Sequence, residues 1–443
     1  MTKIIIDSKI GNYNVTTSVD GDKSISIRTL LIGSQSYGNC KIKNLPKSED
    51  ILSTIYGIKK LGVDIRIKNN LCIINGCGLN SFKYKKNLTI DAGNSGTFAR
   101  LVLGLLIKSP YKIKLKGDKS LSRRDFSRVV EPLKKFGTTF NINNKGLLPL
   151  EIIGSNITRP INYYEKRGSA QCKSTIMLAA LNSPGITKIK AKKSRNHTEL
   201  FFKFLNLPIK ISKNKNFDII NIKGENQFKA FSYEIPGDLS SSSFFIILTL
   251  LSKNSKLKIK NVNINPTRTG FIKIISKMGA KVKFKNKRLI SGEEVADICV
   301  ESQKNFKSIN CPKKLNSNAI DEFLVIFLLA AKANGVSTFS NLEELNKKES
   351  PRLKLGSKIL NMMGVKTILT NSSLKIFGNP SLELNKRIEI KNYFKDHRIF
   401  MTSVIAALAF GGKWLIHDAD SYKSSFPSFL RIIRKFGHKF KIN

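Results

Sequence analysis

The sequence has few acidic residues, few cysteines and no long hydrophobic run, and each shortage excludes a class of protein. Only 31 of the 443 residues are Asp or Glu, against 77 Lys or Arg, so the formal net charge is +46 at pH 7. The six cysteines form no CxxC pair and have no histidine at ligand spacing, so neither a zinc site nor a disulfide framework is predicted. The longest apolar runs, 244–251 and 323–331, are too short to span a bilayer.

The excess of basic residues is compatible with several anionic partners, namely nucleic acid, an anionic membrane surface or acidic small substrates. The lysines are spread along the whole chain, without a basic tail or block. We interpret most of this charge as background composition and a minority of it as part of a site. The N-terminus lacks the features of a signal or transit peptide, so a cytoplasmic protein with reduced thiols is expected.

A pattern of helix, stop and strand recurs along the chain and predicts its architecture. Six amphipathic helices each stop just before an alternating strand, at Gly62, Gly137, Pro208, Gly279, Gly364 and Gly437. The stops are 71 to 85 residues apart, which is too long for a solenoid repeat. Six such units in two sets of three predict an α/β protein of two similar domains, with antiparallel or mixed sheets faced by helices.

Two turn signals mark the expected domain boundaries. Pro236-Gly237 precedes an aspartate and a run of serines typical of a helix cap, and Asp20-Gly21 precedes a basic helix start. One domain would therefore combine residues 1–20 with 237–443. The other would be inserted between these parts as residues 21–236.

Several polar, often basic segments each precede an apolar helix. Free N–H groups and the dipole favour an anion at a helix N-terminus, and Lys or Arg adds charge there. Taken singly, most of these segments are more often solvated helix starts or caps than sites. If they converge between the domains, they would bind phosphorylated or carboxylated ligands. The segments are 22–28, 91–100, 117–125, 167–174, 194–199, 265–270, 320–323, 343–352 and 396–398.

In this order, the segments resemble the 5-enolpyruvylshikimate-3-phosphate (EPSP) synthase family of enolpyruvyl transferases, from Lys23 to Phe429. The matching motifs are DKSxxxR at 22–28, GNSGTxxR at 93–100, GDxSLxxR at 117–124, SAQxKS at 169–174, SRxHTE at 194–199, PGDxSS at 236–241, NPTRTG at 265–270, IDE at 320–322, KESxRL at 348–353, DHR at 396–398 and SFP at 425–427. The resemblance implies two domains, each of three βαβαββ units in an inside-out α/β barrel-like arrangement, with the active site in the interdomain cleft.

The resemblance also implies a reaction. The enolpyruvyl group of phosphoenolpyruvate would move to the 5-hydroxyl of 3-phosphoshikimate with release of phosphate, in aromatic amino acid biosynthesis, without a metal or organic cofactor. The residues expected to hold 3-phosphoshikimate are Lys23, Ser24, Arg28, Ser169, Ala170, Gln171, Ser194, Asp321 and Lys348. Those expected to hold phosphoenolpyruvate are Lys23, Gly96, Arg124, Gln171, Arg352 and Arg398.

Three residues are the expected catalytic groups. Glu349 would protonate the methylene carbon of phosphoenolpyruvate, and Asp321 would accept the proton of the 5-hydroxyl. Lys23 would lie near both substrates. Domain closure would exclude water from the reaction.

Three positions depart from the family pattern. Asp125 stands where a proline is usual, Pro351 where an aspartate is usual, and Ser424 where some members carry a lysine. The change at Pro351 lies close to expected site residues and makes low activity conceivable. Gly96 is retained; a larger residue there crowds glyphosate in the family, so glyphosate sensitivity is expected.

Two other functions remain open. A UDP-N-acetylglucosamine enolpyruvyl transferase resembles this fold, but its usual reactive cysteine is missing, since no cysteine lies between Cys77 and Cys172. A basic nucleic-acid-binding protein would need a basic stripe with interleaved aromatics, whereas the lysines are dispersed. The expected partners are therefore small anionic substrates, without nucleic acid or membrane, and a monomer is expected.

Overall fold

The computed structural model describes residues 2–442, which form a mixed α/β structure. The helices are α1 (Lys23–Ser34), α2 (Glu49–Lys60), α3 (Gly96–Leu105), α4 (Ser127–Lys134), α5 (Ala170–Leu181), α6 (His197–Phe204), α7 (Leu239–Leu251), α8 (Gly270–Lys277), α9 (Asn316–Ala319), α10 (Phe323–Ala331), α11 (Arg352–Met362), α12 (His397–Phe410) and α13 (Phe429–Lys435). Short 3-10 helices lie at Leu121–Arg123, Lys313–Leu315, Glu343–Lys347 and Ser421–Ser424.

The strands are short and lie between these helices. They are β1 (Lys3–Ile6), β2 (Asn14–Thr17), β3 (Tyr37–Lys43), β4 (Asp64–Lys68), β5 (Leu71–Cys77), β6 (Leu88–Asp91), β7 (Ile113–Lys116), β8 (Thr139–Asn141), β9 (Leu150–Ile153), β10 (Asn162–Glu165), β11 (Ile186–Lys192), β12 (Ile209–Lys213), β13 (Phe217–Lys223), β14 (Ser232–Glu234), β15 (Lys256–Asn263), β16 (Val282–Ile290), β17 (Glu293–Glu301), β18 (Val336–Phe339), β19 (Thr367–Leu369), β20 (Leu374–Phe377), β21 (Leu384–Ile390), β22 (Gly411–His417) and β23 (Lys441–Ile442).

The chain divides into two compact units. Unit one consists of the chain up to Asp20, Pro236–Arg288 and the chain from Glu294 onward. Unit two consists of Gly21–Ile235 and the short segment Leu289–Glu293. Each unit has its own hydrophobic core.

The segment Leu289–Glu293, at the turn between β16 and β17, differs from the sequence prediction, which placed all of 237–443 in one domain. Its contacts within unit two explain the difference. Ser291 Oγ accepts a hydrogen bond of 3.0 Å from the backbone N–H of Glu234, and Glu293 pairs with His197. A boundary drawn from turn signals could not anticipate such side-chain contacts.

Unit two contains sheets ordered β14-β3-β5-β4, β6-β7-β9-β8 and β10-β11-β13-β12. In each sheet the first two strands pair in parallel and the remaining pairs are antiparallel. Two of the sheets follow the order βαβαββ along the chain, whereas the β3 sheet takes its parallel edge strand, β14, from the end of the unit. In these two sheets a crossover helix joins the parallel strands, α3 between β6 and β7 and α5 between β10 and β11.

Unit one repeats this plan with sheets ordered β21-β22-β1-β23, β16-β17-β15-β2 and β18-β20-β19. The three-stranded sheet lacks a full parallel first strand. In its place, an isolated parallel bridge joins Asn310 to Thr338 on β18. No helix within residues 2–442 is long and apolar enough to cross a membrane.

The expected helix stops have a common backbone geometry. All five glycines at these stops have φ between +87° and +107°, where a side chain would be strained. In the sixth copy the left-handed residue is Asn206, with φ of +55°, because Pro208 cannot take a positive φ. The strand that follows Gly437 is β23, which begins at Lys441.

The central helices position the expected site residues. In unit two, α1, α3 and α5 are buried along most of their length, and their first turns carry Lys23, Gly96 and Ala170. In unit one, Asp321 lies just before the apolar helix α10, and Arg398 lies in the first turn of α12. Successive repeats therefore present their polar segments at helix N-termini.

Candidate active site

The first turn of α1 holds Lys23 against a carboxylate. Asp22 caps the helix by accepting a hydrogen bond of 3.0 Å from the backbone N–H of Ile25. Lys23 Nζ lies 2.7 Å from Asp50 Oδ2 on α2, and the two side chains are only 18% and 8% exposed. Asp50 therefore fixes the direction of the ammonium group.

Arg28 is buried one turn further along α1. Its Nε donates to Thr198 Oγ1 at 2.9 Å, its Nη2 to Ser174 Oγ at 2.9 Å and its Nη1 to the Ser24 carbonyl at 2.8 Å. Burial lowers the pKa of Arg28 to about 10, against the opposing effect of nearby carboxylates, so the guanidinium stays charged at neutral pH. A desolvated cation held in this way is a strong receptor for an anion.

The starts of α5 and α6 add polar groups to unit two. Ser169 caps α5 by accepting a hydrogen bond of 3.2 Å from the backbone N–H of Cys172. Ser194 Oγ is buried and has no hydrogen-bond partner within residues 2–442. Lys173 lies inside the protein, paired with Glu199 on α6, so it is not available to a ligand.

Gln171 is oriented by two neighbours on α3. Arg100 Nη1 donates to Gln171 Oε1 at 2.7 Å, and Gln171 Nε2 donates to Thr97 Oγ1 at 3.0 Å. Because an Arg can only donate, it fixes the carbonyl side of the amide. Gln171 therefore offers N–H rather than carbonyl oxygen in the remaining direction.

Gly96 makes room for Arg124. A Cβ at Gly96 would lie 2.9 Å from Arg124 Nη1 and 3.4 Å from a methyl group of Leu121. Arg124 Nη2 donates to Asn94 Oδ1 at 3.3 Å. The absence of a side chain at position 96 thus permits the guanidinium to approach the N-terminus of α3.

Unit one contains a second charged cluster, built on Arg352. Arg352 is 2% exposed and makes a two-pronged contact with Asp396, with Nε–Oδ2 at 2.8 Å and Nη2–Oδ1 at 3.2 Å. Burial alone would lower the pKa of Arg352, but the carboxylates of Asp396, Glu349 and Asp321 outweigh it and raise that pKa. Burial likewise opposes the charge on Asp396, but the Arg352 guanidinium keeps the pKa of Asp396 below its ordinary value.

The remaining expected residues of unit one surround Arg352. Asp321 Oδ1 lies 3.3 Å from Lys348 Nζ and 3.6 Å from Arg352 Nη1. Glu349 Oε2 accepts a hydrogen bond from Arg352 Nη2. Arg398 Nη1 donates to the carbonyl of Asp321 at 2.9 Å. The structure thus brings all five expected residues of unit one into one network of carboxylates and cations.

The three departures from the family pattern are accommodated locally. Asp125 accepts a hydrogen bond of 2.7 Å from the backbone N–H of Ser127 at the start of α4. Pro351 occupies the N-cap of α11, where its missing N–H is harmless, and the Arg352–Asp396 contact is intact. Ser424 Oγ donates to the carbonyl of Ser421.

The structure adds functional neighbours that sequence reasoning missed. Asp50 holds Lys23, Arg100 orients Gln171, and Asp396 holds Arg352. Arg100 and Asp396 lie in motifs that were recognised, but no role was predicted for them. Nothing in the sequence indicated this role for Asp50, because an acidic residue is common in the first turn of a helix.

Comparison with solved structures identifies the fold. A structure of the enolpyruvyl transferase NikO from Streptomyces tendae matches with a TM-score of 0.78 over 100% of this chain and 99% of that one, at 12% identity. The two proteins therefore share the fold of an enolpyruvyl transferase. A structure of EPSP synthase from Acinetobacter baumannii matches with a TM-score of 0.87 and 30% identity over the full length of both chains.

Sequence comparisons narrow the class to one family. The family model for EPSP synthase (3-phosphoshikimate 1-carboxyvinyltransferase) matches residues 8–433. The 3-phosphoshikimate 1-carboxyvinyltransferase of Ruthia magnifica subsp. Calyptogena magnifica is 39% identical over 421 residues, 95% of this chain and 94% of the relative. That of Clostridium tetani is 37% identical over 429 residues, 97% and 95% of the two chains. The chain belongs to the EPSP synthase family.

Membership of this family identifies the reaction. The match to a solved EPSP synthase confirms the two-domain, inside-out α/β fold implied by the resemblance. The enzyme transfers the enolpyruvyl group of phosphoenolpyruvate to 3-phosphoshikimate in the shikimate pathway. A UDP-sugar acceptor is not favoured by these relatives.

Proposed function

We propose that unit two binds 3-phosphoshikimate and part of phosphoenolpyruvate, and that unit one supplies the acid and the base. The observation that carries this proposal is the cluster of Asp321, Lys348, Glu349 and Arg398 around the buried Arg352. Two carboxylates among fixed cations suit a reaction that moves two protons between anionic substrates. The meeting of both residue sets in an interdomain cleft stays a prediction from the sequence.

Arg28 is the proposed anchor for the acceptor substrate. Three of its five N–H groups are used within the protein, which fixes the plane of the guanidinium and leaves donors for phosphate or hydroxyl oxygens. Ser24, Ser169, Ala170, Gln171 and Ser194 complete the proposed acceptor site in unit two, and Asp321 and Lys348 complete it in unit one. The buried Ser194 hydroxyl supports this assignment, because a ligand oxygen would satisfy it.

Lys23, Gly96, Arg124 and Gln171 are the proposed phosphoenolpyruvate contacts in unit two, and Arg352 and Arg398 those in unit one. The oriented N–H of Gln171 and the Arg124 guanidinium suit carboxylate or phosphate oxygens. Lys23 would stabilise the phosphate group as it leaves.

Asp321 is the proposed base for the 5-hydroxyl. Its Oδ1 lies 3.3 Å from Lys348 Nζ and 3.6 Å from Arg352 Nη1, so the two cations hold the carboxylate in position. After the proton moves, the alkoxide oxygen forms a bond to C2 of the enolpyruvyl group.

Glu349 is the proposed acid for the methylene carbon. Arg352 stabilises the Glu349 carboxylate through its Nη2. A phosphoenolpyruvate oxygen that accepts this N–H would lie next to the Glu349 carboxyl group. Protonation at C3 and addition at C2 give a tetrahedral phospholactoyl intermediate. Loss of phosphate from C2 and of a proton from C3 back to Glu349 then restores the double bond in the product.

A phosphate-release assay tests the acceptor. The purified chain is incubated with phosphoenolpyruvate and either 3-phosphoshikimate or UDP-N-acetylglucosamine. We expect phosphate release with 3-phosphoshikimate alone, because the proposed acceptor site is built around one buried guanidinium and small polar groups. Release with only the UDP-sugar would contradict the proposal.

A Gly96→Ala variant tests the proposed phosphoenolpyruvate site. The new methyl group would displace Arg124, so KM for phosphoenolpyruvate should rise about tenfold, corresponding to about 1.4 kcal/mol. KM for 3-phosphoshikimate, measured in the same experiments, should change much less. The matched control is Gly11→Ala, where a Cβ meets nothing within 4 Å. Equal effects of both variants, or an unchanged KM, would refute the role of Gly96.

We further propose that the enzyme acts as a cytoplasmic monomer whose partners are its two substrates. Both proposed residue sets lie on one chain, which supports a monomer. Sedimentation of the purified chain with and without both substrates measures the mass, and a stable dimer at assay concentration would overturn this proposal.

A further inference from the structure

A buried histidine–glutamate pair that no proposed reaction step uses lies in unit two. His197 Nδ1 and Glu293 Oε1 are 2.7 Å apart, and each side chain is only 1% exposed. Burying an ionisable pair carries a desolvation penalty of several kcal/mol for each charged group. The pair therefore raises the question of what its location contributes.

Glu293 ends the segment Leu289–Glu293, which lies along α6. Ser291 Oγ accepts a hydrogen bond from the backbone N–H of Glu234. Gly292 has φ of +81°, and a Cβ there would come within 3.2 Å of Phe204 Cβ on α6. The segment thus lies closely against the helix, with Glu293 placed at the helix start.

The start of α6 is tied to the proposed acceptor site. His197 is its first residue, and the next residue, Thr198, accepts the Nε hydrogen bond of Arg28 at 2.9 Å. Thr198 also shares a hydrogen bond of 2.7 Å with Ser174, which holds Arg28 Nη2. A shift of the first turn of α6 would therefore turn the Arg28 guanidinium.

We propose that Glu293 is a positioning residue for the acceptor substrate. It fixes the His197 ring, the ring fixes the first turn of α6, and Thr198 in that turn sets the orientation of Arg28. The inference rests on the proposed role of Arg28 in binding 3-phosphoshikimate. It adds a specificity element outside all the motifs that resemble the family.

Two variants separate the hydrogen bond from the charge. Glu293→Ala removes the acceptor, whereas Glu293→Gln keeps an oxygen that can accept from His197 Nδ1. We expect Glu293→Ala to weaken 3-phosphoshikimate binding about tenfold in calorimetry without phosphoenolpyruvate, because small misplacements of a binding group are costly. Glu293→Gln should stay within about twofold of the parent enzyme. KM for phosphoenolpyruvate should change little in either variant.

The chain offers a matched control in unit one. His417 Nε2 and Glu389 Oε1 form a similar pair at 2.8 Å, but their side chains are more exposed. Glu389→Ala removes the same atoms and should leave 3-phosphoshikimate affinity unchanged. If Glu293→Ala does not fold, as judged by circular dichroism, Glu293→Asp replaces it; the shortened side chain should weaken binding by a smaller factor.

The Arg28→Lys variant tests the proposed acceptor site separately from the positioning role of Glu293. If Arg28→Lys leaves 3-phosphoshikimate affinity unchanged, the proposed acceptor site is wrong. If Arg28→Lys weakens binding and the folded Glu293→Ala or Glu293→Asp variant does not, the positioning role of Glu293 is overturned. A purely structural role would lower the melting temperature of Glu293→Ala without a selective loss of 3-phosphoshikimate affinity, and that result also overturns the inference.

Discussion

Asp321→Asn and Glu349→Gln are each expected to lower kcat by about 10² to 10⁴-fold, the range typical of a lost general acid or base. Both substitutions preserve side-chain shape and remove the titrating group. Because each also removes a negative charge beside Lys348 and Arg352, binding of the anionic substrates should be retained or strengthened. Steady-state phosphate release gives kcat, and calorimetry with 3-phosphoshikimate gives the affinity.

The control for these two variants is Glu383→Gln. Glu383 is an exposed carboxylate of unit one that pairs with Lys9 at 2.7 Å, so its loss removes an ion pair without touching the Arg352 cluster. This control should keep normal turnover. Near-normal kcat in Asp321→Asn or in Glu349→Gln would remove that residue from its proposed chemical role. A loss confined to affinity would reassign it to binding.

Much of the fold could be predicted because local rules repeat. Glycine follows five of the six amphipathic helices for one main physical reason: the residue that ends the helix adopts a left-handed backbone conformation. All five glycines have that geometry. The sixth stop was recognised from its neighbours, although Asn206 rather than the residue at the expected position takes the positive φ. Polar helix starts followed by apolar helices were visible for the same reason, since capping is local.

The pairs that hold the site could not be predicted from spacing. Lys23 and Asp50 are 27 residues apart, Arg352 and Asp396 are 44 apart, and His197 and Glu293 are 96 apart. Tertiary packing chooses such partners, and a charged residue in a helix start gives no sign of which distant residue it will contact. The resemblance identified Lys23 and Arg352 as site residues, but the carboxylates that orient them came only from the structure.

Asp396→Asn is expected to destabilise unit one by about 3–5 kcal/mol, because it leaves the Arg352 charge buried without its main partner. Asparagine is also a good N-cap, so it should preserve the contact of residue 396 with the backbone N–H of Arg398. The loss would therefore report the ion pair rather than the helix cap. Trp414, the only tryptophan of the chain, is buried in β22 of unit one, so its fluorescence during urea unfolding measures the stability of that unit.

The change in this stability difference at acid pH tests the contribution of the Asp396 charge. Its pKa is lower in the folded chain than the value of about 3.9 expected when unfolded, so its stabilising effect is fully present above that pH. The effect is lost as the pH falls through the folded pKa, and the stability gap between the parent enzyme and Asp396→Asn should narrow there. The control is Glu383→Gln in the same unit, which removes the exposed ion pair with Lys9, and it should cost less than about 1 kcal/mol. A gap of similar size for both variants, or one that does not narrow in acid, would mean that the buried charge pair does not stabilise the Arg352 cluster.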